Sequence, residues 1–437
     1  MNRREVITAM GGVAASMGVS SAGAEMSGAP PSVSNLTDPS LAQAWQHYYA
    51  TLDECRAQIE ASAQYRDVPQ QRAKAFHALM EMQAQVYNFA VAPRLVHPRI
   101  FRNTGWQTEV YTLGGNGPDF DYRQIFLDGQ QTYKLTGNMR DSRVVLGQLA
   151  NGLPGSPGSA ASTNYDFSDF TVGKDGSFEV ALSAENHPGN WIKLDPASRF
   201  QWIQLRPAVE TWDAVPAEFA IERISPIGPR EYATEEFDPA TVAQRINMGT
   251  EFARYMTSEW IIAFYQRVLK NSGGPNIFKP IGTQIAGQVG SPSAQYIFAP
   301  FELDDDEGLY IELPEALNGT YWGFEILDVW LRSVDFRTRQ TSLSTRQIQP
   351  DPDGKLRLVL SKRDPGIANW LDTGERMRGL TLLRNYRATK PANVTGKRIK
   401  LADLAHHIPA NAKRVSADER QHILAQRQLG YLRRHGE

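Results

Sequence analysis

The spacing of apolar residues changes along the chain, from a helical period to a strand period. Between Leu41 and Ile59, and again between Phe76 and Tyr87, apolar residues recur every three or four positions, which predicts two helices in an N-terminal hairpin. Beyond Arg102, apolar and polar residues alternate in short runs that end at glycine, asparagine or aspartate. This alternation predicts antiparallel strands joined by tight turns.

One part of the strand pattern occurs twice. The repeated features are the segments DGSFEVALS and DGKLRLVLS at 175–183 and 353–361, Asn190-Trp191 and Asn369-Trp370, and Leu205-Arg206 and Leu383-Arg384. The offset between the copies is 178 or 179 positions throughout. The offset of 178 also places Tyr133 opposite Ile311, which predicts that upstream strands are duplicated. We therefore predict a mainly β protein with helical additions, built from two related antiparallel, jelly-roll-like β-sandwich domains that arose by internal duplication.

The rest of the pattern divides the chain into six segments. We predict a signal peptide at 1–24, a helical hairpin at 25–102, a first sandwich at 103–235, a helical insert at 236–275, a second sandwich at 276–395 and a C-terminal helical tail at 396–437. Asp238-Pro239 is typical of the start of a helix and opens the insert. A capping box from Ser416 to Glu419 opens a polar helix in the tail, which we expect to be peripheral.

The N-terminus predicts export. Arg3-Arg4 precede a glycine- and alanine-rich apolar stretch, and Ala22-Gly23-Ala24 forms a cleavage signal, a pattern typical of twin-arginine signal peptides. An ordinary secretory peptide is the alternative. In either case we expect a periplasmic protein. Cys55 is the only cysteine, so no intrachain disulfide can form and the core must hold the fold.

Composition and missing motifs narrow the function classes. The net charge of -2 and the absence of a long basic run exclude electrostatic support for a nucleic-acid partner, and no segment beyond the signal is apolar enough to span a membrane. No serine nucleophile elbow, phosphate-binding loop, zinc motif or cysteine pair is present, so we identify no cofactor and no metal site. We expect a small-molecule ligand or substrate, and the sequence leaves the oligomeric state open.

The loop between the repeated strand and Asn-Trp is the first candidate site. In the second copy it carries Asp364, Asn369 and Asp372, whereas the first copy has His187 and no matching acids. Loops at the rim of a sheet can present side chains to a ligand. We expect Asp364 or Asp372 to act as a general base, with Asn369 and His187 contacting the substrate. The alternative is structural, with aspartates forming turns and the asparagine tethering the loop.

Charged residues on strands provide further candidates. Arg206 and Arg384 end matched strands, and we expect Arg384 to orient a substrate; the alternative for both is a structural ion pair, with Glu210 or Asp213 as partner of Arg206. The stretch 330–339 predicts a polar strand.

Asp335 and Arg337 of that strand lie on one face, and we expect them to line a substrate cleft. A solvated sheet edge is the alternative.

The second copy resembles a known bacterial family. The segment from Asp364 to Gly374, preceded by Tyr321-Trp322, resembles the domain-of-unknown-function 1214 family, and the resemblance extends over nearly the whole mature chain. It implies a β-rich, jelly-roll-like fold and no particular activity. From the residues, we expect an enzyme using acid-base chemistry, of hydrolase or lyase type, on a small organic or carbohydrate-like substrate. The alternative is a non-catalytic ligand-binding or scaffolding protein of the periplasm.

Overall fold

A computed structural model of the protein describes residues 38–102, 111–281, 291, 293–313, 315 and 317–435. The predicted signal peptide at 1–24 lies outside these residues. No helix in the described part of the chain combines the length and the apolar character that a bilayer span requires.

Helices precede, separate and follow the two sets of strands. The α-helices of the described residues are α1 (Pro39–Ala61), α2 (Ala63–Asp67), α3 (Arg72–Val86), α4 (Glu231–Phe237), α5 (Pro239–Tyr255), α6 (Ala263–Ser272) and α7 (Ala417–His435). Asp238 caps α5, because its carboxylate accepts a hydrogen bond from the Thr241 backbone N–H. Met82 of α3 belongs to the same buried cluster as Phe252 of α5 and Phe264 of α6. The N-terminal helices and the insert therefore share one core.

The strands form two sandwiches with the same topology. The first nine are β1 (Ile100–Arg102), β2 (Arg123–Leu127), β3 (Tyr133–Asn138), β4 (Val144–Asn151), β5 (Ala160–Asp166), β6 (Ser177–Ser183), β7 (Trp191–Lys193), β8 (Gln201–Ala208) and β9 (Glu218–Arg223). The next nine are β10 (Lys279–Pro280), β11 (Ala294–Glu302), β12 (Glu307–Leu313), β13 (Tyr321–Leu327), β14 (Ser342–Ser344), β15 (Leu356–Ser361), β16 (Trp370–Asp372), β17 (Arg378–Tyr386) and β18 (Thr395–Lys400).

The order of the strands confirms the duplication. The first sandwich has sheets β1-β2-β8-β4-β5 and β7-β6-β3-β9, and the second has β10-β11-β17-β13-β14 and β16-β15-β12-β18. Each label of the second sandwich is the matching label of the first plus nine. Both copies also contain the same exception to antiparallel pairing, since β6 pairs with β7 and β15 pairs with β16 in parallel. The prediction of two related, mainly antiparallel sandwiches is confirmed.

One detail of the predicted repeat is wrong. Tyr133 pairs with Leu182, and in the second sandwich Leu309 pairs with Leu360, so Tyr133 corresponds to Leu309 rather than to Ile311. The offset at this strand is thus two residues shorter than predicted. A shift of two residues leaves every side chain on the same face of the sheet, so alternation alone cannot reveal it.

One sheet of each sandwich is buried on both faces. Ile125 and Leu205 point into the core of the first sandwich, whereas Phe120, Tyr321 and Tyr386 form a cluster to which both sandwiches contribute. We call the layer between these two sheets the junction. Because the junction covers their second face, the strands β2, β4, β8, β13 and β17 are buried almost without interruption, and their polar side chains are buried with them.

Helix α7 is not peripheral, contrary to expectation. Three of its arginines are buried and spaced by seven residues: Arg420, Arg427 and Arg434. Arg420 donates to the carbonyl of Ile367 in the second sandwich, and Arg434 donates to the carbonyl of Thr211 in the first. The guanidinium groups of Arg427 and Arg434 both lie over the ring of Trp212, 4.5 and 4.7 Å from its centroid. The seven-residue spacing aligns these groups on one stripe, which contacts both sandwiches.

Candidate functional site

The two predicted catalytic aspartates are held by turns and arginines. Each accepts a hydrogen bond from the backbone N–H two residues further along, at 2.8 Å for Asp364 and 2.7 Å for Asp372. The other oxygen of Asp364 accepts from Nε of Arg420 at 2.8 Å, and that of Asp372 accepts from Nη1 of Arg339 at 2.9 Å. These are the contacts expected of turn-forming aspartates with ion-pair partners. The geometry favours the structural alternative for both.

Asn369 binds the backbone of its own sandwich. Its Nδ2 donates to the carbonyls of Gln349 and Arg357 at 2.7 and 3.0 Å, and its Oδ1 accepts from the Gln349 N–H at 2.9 Å. The cavity beside it has a volume of about 10 Å³, the space of roughly one water molecule. A substrate therefore has no room at this position.

The remaining loop candidates lie elsewhere. The stretch 330–339 is not a strand as predicted; Asp335 closes a turn by accepting from the backbone N–H groups of Arg337 and Thr338, at 3.0 and 3.2 Å. The prediction missed this because aspartate bonds its own backbone in turns, which interrupts strand pairing. His187 is exposed in a loop of the first sandwich. The structure thus distributes the predicted site residues over separate places.

Arg384 lies in the junction, where it pairs with Glu325, which is not among the predicted site residues. Nη1 of Arg384 on β17 donates to Oε1 of Glu325 on β13, and Nη2 donates to the carbonyl of Gly115 at 2.5 Å. Both charged side chains are buried. The second carboxylate oxygen of Glu325, Oε2, has no hydrogen-bond partner among the described residues. The two side chains therefore form a buried ion pair.

The first sandwich contains a matching pair in which a neutral glutamine takes the place of the acid. Gly147 pairs with Leu205 and Phe324 pairs with Leu383, so Gln148 occupies the position of Glu325. Nη2 of Arg206 donates to Oε1 of Gln148, as Arg384 does to Glu325.

Arg206 also donates to Gln204 at 2.8 Å, while Glu210, one of its two predicted partners, forms an ion pair with Arg346 at 3.1 Å. The duplicated arginine thus has an amide acceptor in one copy and an acid in the other.

Burial and neighbouring charges set the protonation of this group. Burial raises the pKa of Glu325 to about 7, opposed by Arg384 and reinforced by Asp119. Although burial disfavours the charged form of Arg384, Glu325 and nearby tyrosines raise its pKa above the usual value. Burial raises the pKa of Tyr122, while the positive charges of Arg384 and Arg206 both act to lower it. We call Glu325, Arg384, Gln148, Arg206 and Tyr122 the junction centre.

A sequence signal for Glu325 did exist. The strand reads Tyr-Trp-Gly-Phe-Glu-Ile-Leu, a run in which a single acid stands among apolar residues. An acid in such a run is either the exposed position of a one-sided sheet or a buried charge. Whether the acid is exposed or buried can be decided only when both faces of the sheet are known to be covered.

A second candidate site is an open cleft between the first sandwich and the insert. It has a volume of about 1230 Å³, and we call it the insert cleft. Loops at one end of the first sandwich, including Gly152–Gly158 and Asp195–Phe200, form one wall, and residues of α4 and α5 form the other. Its polar lining includes Asn151, Ser156, Arg230, Thr234, Gln244 and Asn247. The volume suits a ligand at least as large as a typical cofactor or drug-sized molecule.

The acids that line the insert cleft all have donors. The contacts are Asp128 with Arg199 at 2.6 Å, Glu231 with Arg223 at 2.6 Å, Glu235 with Arg245 at 2.9 Å, Glu251 with Arg254 at 3.0 Å, and Asp195 with Nδ2 of Asn151 at 2.7 Å. The hydrogen bond from Arg223 lowers the pKa of Glu231, more than burial raises it. A general base would instead need an unengaged carboxylate with a raised pKa.

The fold and these two sites define a class: a duplicated β-sandwich protein with a polar junction and a lateral cleft. Residues 307–390, within the second sandwich, match the family described as "Protein of unknown function (DUF1214)". The predicted resemblance is thereby shown for this C-terminal part of the chain. No curated protein matches the sequence.

Two solved structures are similar to this chain. An uncharacterized protein from Burkholderia cenocepacia is 22% identical, with a TM-score of 0.72 over 83% of this chain and 98% of its own. The VPA0106 protein from Vibrio parahaemolyticus is 14% identical, with a TM-score of 0.39 over 73% of this chain and 99% of its own. The first likeness supports the two-sandwich fold.

Proposed function

We propose that the protein is a non-catalytic ligand-binding protein that holds a small polar, hydroxyl-rich molecule in the insert cleft. The observation that carries this proposal is the cleft itself, about 1230 Å³ in volume and lined by amide, hydroxyl and guanidinium groups. Amide and hydroxyl groups both donate and accept hydrogen bonds, and guanidinium groups donate them, as recognition of a carbohydrate-like ligand requires.

Binding is favoured over catalysis at the insert cleft because its acids are already engaged. Each of them accepts from an arginine or an amide, and the two aspartates first considered as bases form turns outside the cleft. Electrostatic pairing of this kind positions the cleft walls and leaves no described carboxylate there to accept a substrate proton.

Two further parts of the proposal rest on the sequence. We propose that the chain is exported to the periplasm by the twin-arginine route, because Arg3-Arg4 and the cleavage pattern at Ala22-Gly23-Ala24 support it. We also propose that the family resemblance extends beyond 307–390 to nearly the whole mature chain. Replacement of Arg3 and Arg4 by lysine should leave the full-length precursor in the cytoplasm, as cell fractionation would show.

The binding proposal is tested by blocking the insert cleft. Ala197 is exposed on its sandwich wall, so Ala197→Trp should fill the cleft without disturbing the core. Native mass spectrometry of protein purified from the periplasm, followed by titration with a panel of mono- and oligosaccharides, identifies a bound molecule. We expect Ala197→Trp to weaken its binding by about tenfold or more, since about 1.4 kcal/mol of lost contact suffices.

The matched control is Ala233→Trp. Ala233 is also exposed and belongs to α4, but it does not line the insert cleft. The Ala233→Trp variant should bind the cleft ligand as tightly as the unmodified protein does. Equal binding by Ala197→Trp and the unmodified protein, or no bound molecule in any preparation and no response to the panel, would overturn the proposal.

A further inference from the structure

We propose that the insert cleft is specific for a zwitterion, a hydroxyl-rich molecule that carries one ammonium group and one carboxylate group. This inference rests on the proposed function and adds the charges of the ligand to it. Asp195, in the wall formed by the first sandwich, binds the ammonium group. Arg230, at the start of α4 in the other wall, binds the carboxylate.

The first argument is the pairing of charges in the insert cleft. The pairs are Asp128 with Arg199, Glu231 with Arg223, Glu235 with Arg245, and Glu251 with Arg254, which lies outside the lining. Among the described residues of the lining, Asp195 and Arg230 are the two charged side chains outside these pairs. They stand in different walls, so a ligand with one group of each sign complements both.

Asp195 has two hydrogen-bond donors, and both are neutral. Its Oδ1 accepts from the Ala197 backbone N–H at 2.9 Å, and its Oδ2 accepts from Nδ2 of Asn151 at 2.7 Å. These bonds fix the direction of the carboxylate but use only two of its acceptor positions, of which a carboxylate has about four. No cation among the described residues pairs with it. An ammonium group supplies both further donors and a positive charge, so it is the complementary group.

Arg230 has a fixed backbone and a guanidinium group without an acceptor. Its backbone carbonyl accepts from the N–H and the hydroxyl of Thr234, at 2.9 and 3.0 Å. The neighbouring acid, Glu231, is engaged elsewhere, since both of its oxygens accept from Arg223 and one also accepts from the Gly228 N–H. No described residue accepts from the guanidinium group of Arg230. A guanidinium group binds a carboxylate through two parallel hydrogen bonds, so a carboxylate is the group that it complements.

The balance of charge argues against a ligand with a net charge. With Arg254 counted beside Glu251, the acids and the arginines among the described residues of the cleft are equal in number. An anion or a cation would meet one of the two remaining charges and leave the other without a partner. A zwitterion meets both and keeps the cleft neutral.

Two amide side chains of α5 complete the site. Gln244 and Asn247 line the insert cleft and are three positions apart, so they lie on the same side of the helix. Oδ1 of Asn247 lies 3.5 Å from Nδ1 of His47, and no described residue forms a hydrogen bond with the side chain of Gln244. Amides both donate and accept hydrogen bonds, which matches the hydroxyl groups of the ligand.

The test compares four sugars that share a hexose ring: glucose, glucosamine, N-acetylmuramic acid and muramic acid. At pH 6 these carry, in that order, no charge, an ammonium group, a carboxylate group, and both groups. Isothermal titration calorimetry on the mature protein measures each affinity. We expect muramic acid to bind about fivefold more tightly than glucosamine and than N-acetylmuramic acid, the ratio that one partly solvated ion pair provides.

Arg230→Gln and Asp195→Asn separate the two contacts. In Arg230→Gln, muramic acid should lose its advantage over glucosamine and keep its advantage over N-acetylmuramic acid. In Asp195→Asn the reverse should hold, and the asparagine can still accept from the Ala197 N–H. Each comparison is made within one variant, so a change in stability cannot imitate a loss of specificity, and a thermal melt verifies folding.

The matched controls are Arg363→Gln and Asp169→Asn. Both residues are exposed and lie outside the lining of the insert cleft, so both variants should keep the full preference for muramic acid. The zwitterion proposal is wrong if muramic acid binds no more tightly than the two singly charged sugars. It is also wrong if Arg230→Gln and Asp195→Asn both keep the preference of the unmodified protein.

Failure of this inference can be told apart from failure of the proposed function. If the sugars bind with equal affinity and Ala197→Trp weakens them all, the insert cleft is a binding site without a charge preference. If none of the four binds up to about 10 mM, the zwitterion proposal is overturned. The proposed function is then decided by the molecule that native mass spectrometry finds in the protein and by its response to Ala197→Trp.

Discussion

The two copies of the Asn-Trp loop make the same contacts but lie under different covers. Asn190 donates to the carbonyls of Thr171 and Glu179, as Asn369 does to Gln349 and Arg357, each pair offset by 178 residues. The indole N–H of each tryptophan donates to the carbonyl of the matching serine, at 3.1 Å in the first copy and 3.2 Å in the second. A motif that binds its own backbone identically in both copies is structural.

The difference lies in what covers the tryptophan. Trp370 is only 6% exposed, and the guanidinium of Arg420 in α7 lies 5.1 Å from its ring centroid. Trp191, in contrast, is partly exposed. Asp364, one of the two acids predicted to be catalytic, belongs to this cover because it is the partner of Arg420, whereas Asp372 pairs with Arg339. A residue that differs between the copies of a repeat can therefore reflect a difference in neighbouring elements rather than a difference in function.

The largest expected difference between the copies is the loss of tryptophan. Trp370→Ala removes a buried ring under α7 and should lower the free energy of unfolding by about 3–5 kcal/mol. Trp191→Ala removes a partly exposed ring and should cost about 1–2 kcal/mol, within the usual range for single substitutions. Urea denaturation measures both. Equal losses would show that α7 contributes nothing to the difference.

The second test concerns the junction, where the copies differ by one acid. The pKa of Glu325 is about 7 in the folded protein against 4.5 in the unfolded chain, so the folded state binds the proton more tightly. Its contribution to the free energy of unfolding is fully present below pH 4.5 and is lost as the pH rises through 7. The expected loss is about 3 kcal/mol, at about 1.4 kcal/mol for each pKa unit.

Glu325→Gln should remove this pH dependence, and denaturation curves at pH 4.5, 6 and 8 would measure it. Gln148→Glu should retain the pH dependence, because it leaves Glu325 in place and adds an acid at the matching position of the first copy. If Glu325→Gln lost stability across that range as steeply as the unmodified protein, the acid would not be the titrating group.

The asparagines should behave alike. Asn369→Ala and Asn190→Ala each remove one side chain that makes three hydrogen bonds to backbone, and each should cost about 1–3 kcal/mol. The loss should be somewhat greater for Asn369, which is more deeply buried. Chemical denaturation of the two variants side by side is the measurement. A large effect of Asn369→Ala on ligand binding, with none for Asn190→Ala, would return a binding role to the second loop.

Several of these features were predictable from the sequence. The strand period and the alternative role of Asn369 as a tether depend on neighbours within about thirty residues, and the local pattern contains that information. The duplication is visible because two segments 178 or 179 positions apart have similar sequences. The junction does not. Glu325 and Arg384 stand 59 positions apart, and their burial depends on a second sheet that alternation cannot indicate.

The same reason explains the error over α7. In the sequence the arginines of α7 indicate a polar, exposed helix. Nothing in the neighbouring sequence shows that these arginines donate to backbone carbonyls of both sandwiches. The sequence does show that Arg420, Arg427 and Arg434 are seven residues apart, which places the three cations on one face of the helix. What could not be predicted was which acid or aromatic ring each cation would meet.

The smallest expected effect belongs to Asp364, the residue first considered as a base. Its side chain is 31% exposed, and asparagine can still accept from the backbone N–H of Gly366. Asp364→Asn then loses only a partly solvated ion pair with Arg420, which is worth about 0.5 kcal/mol or less. Arg420→Met should cost more, because it also removes the cover of Trp370. Urea denaturation and titration of the cleft ligand should both show Asp364→Asn close to the unmodified protein. If Asp364→Asn lost ligand binding while its stability was unchanged, the second loop would have a role in binding, and the two copies would differ in function as well as in the helix that covers one of them.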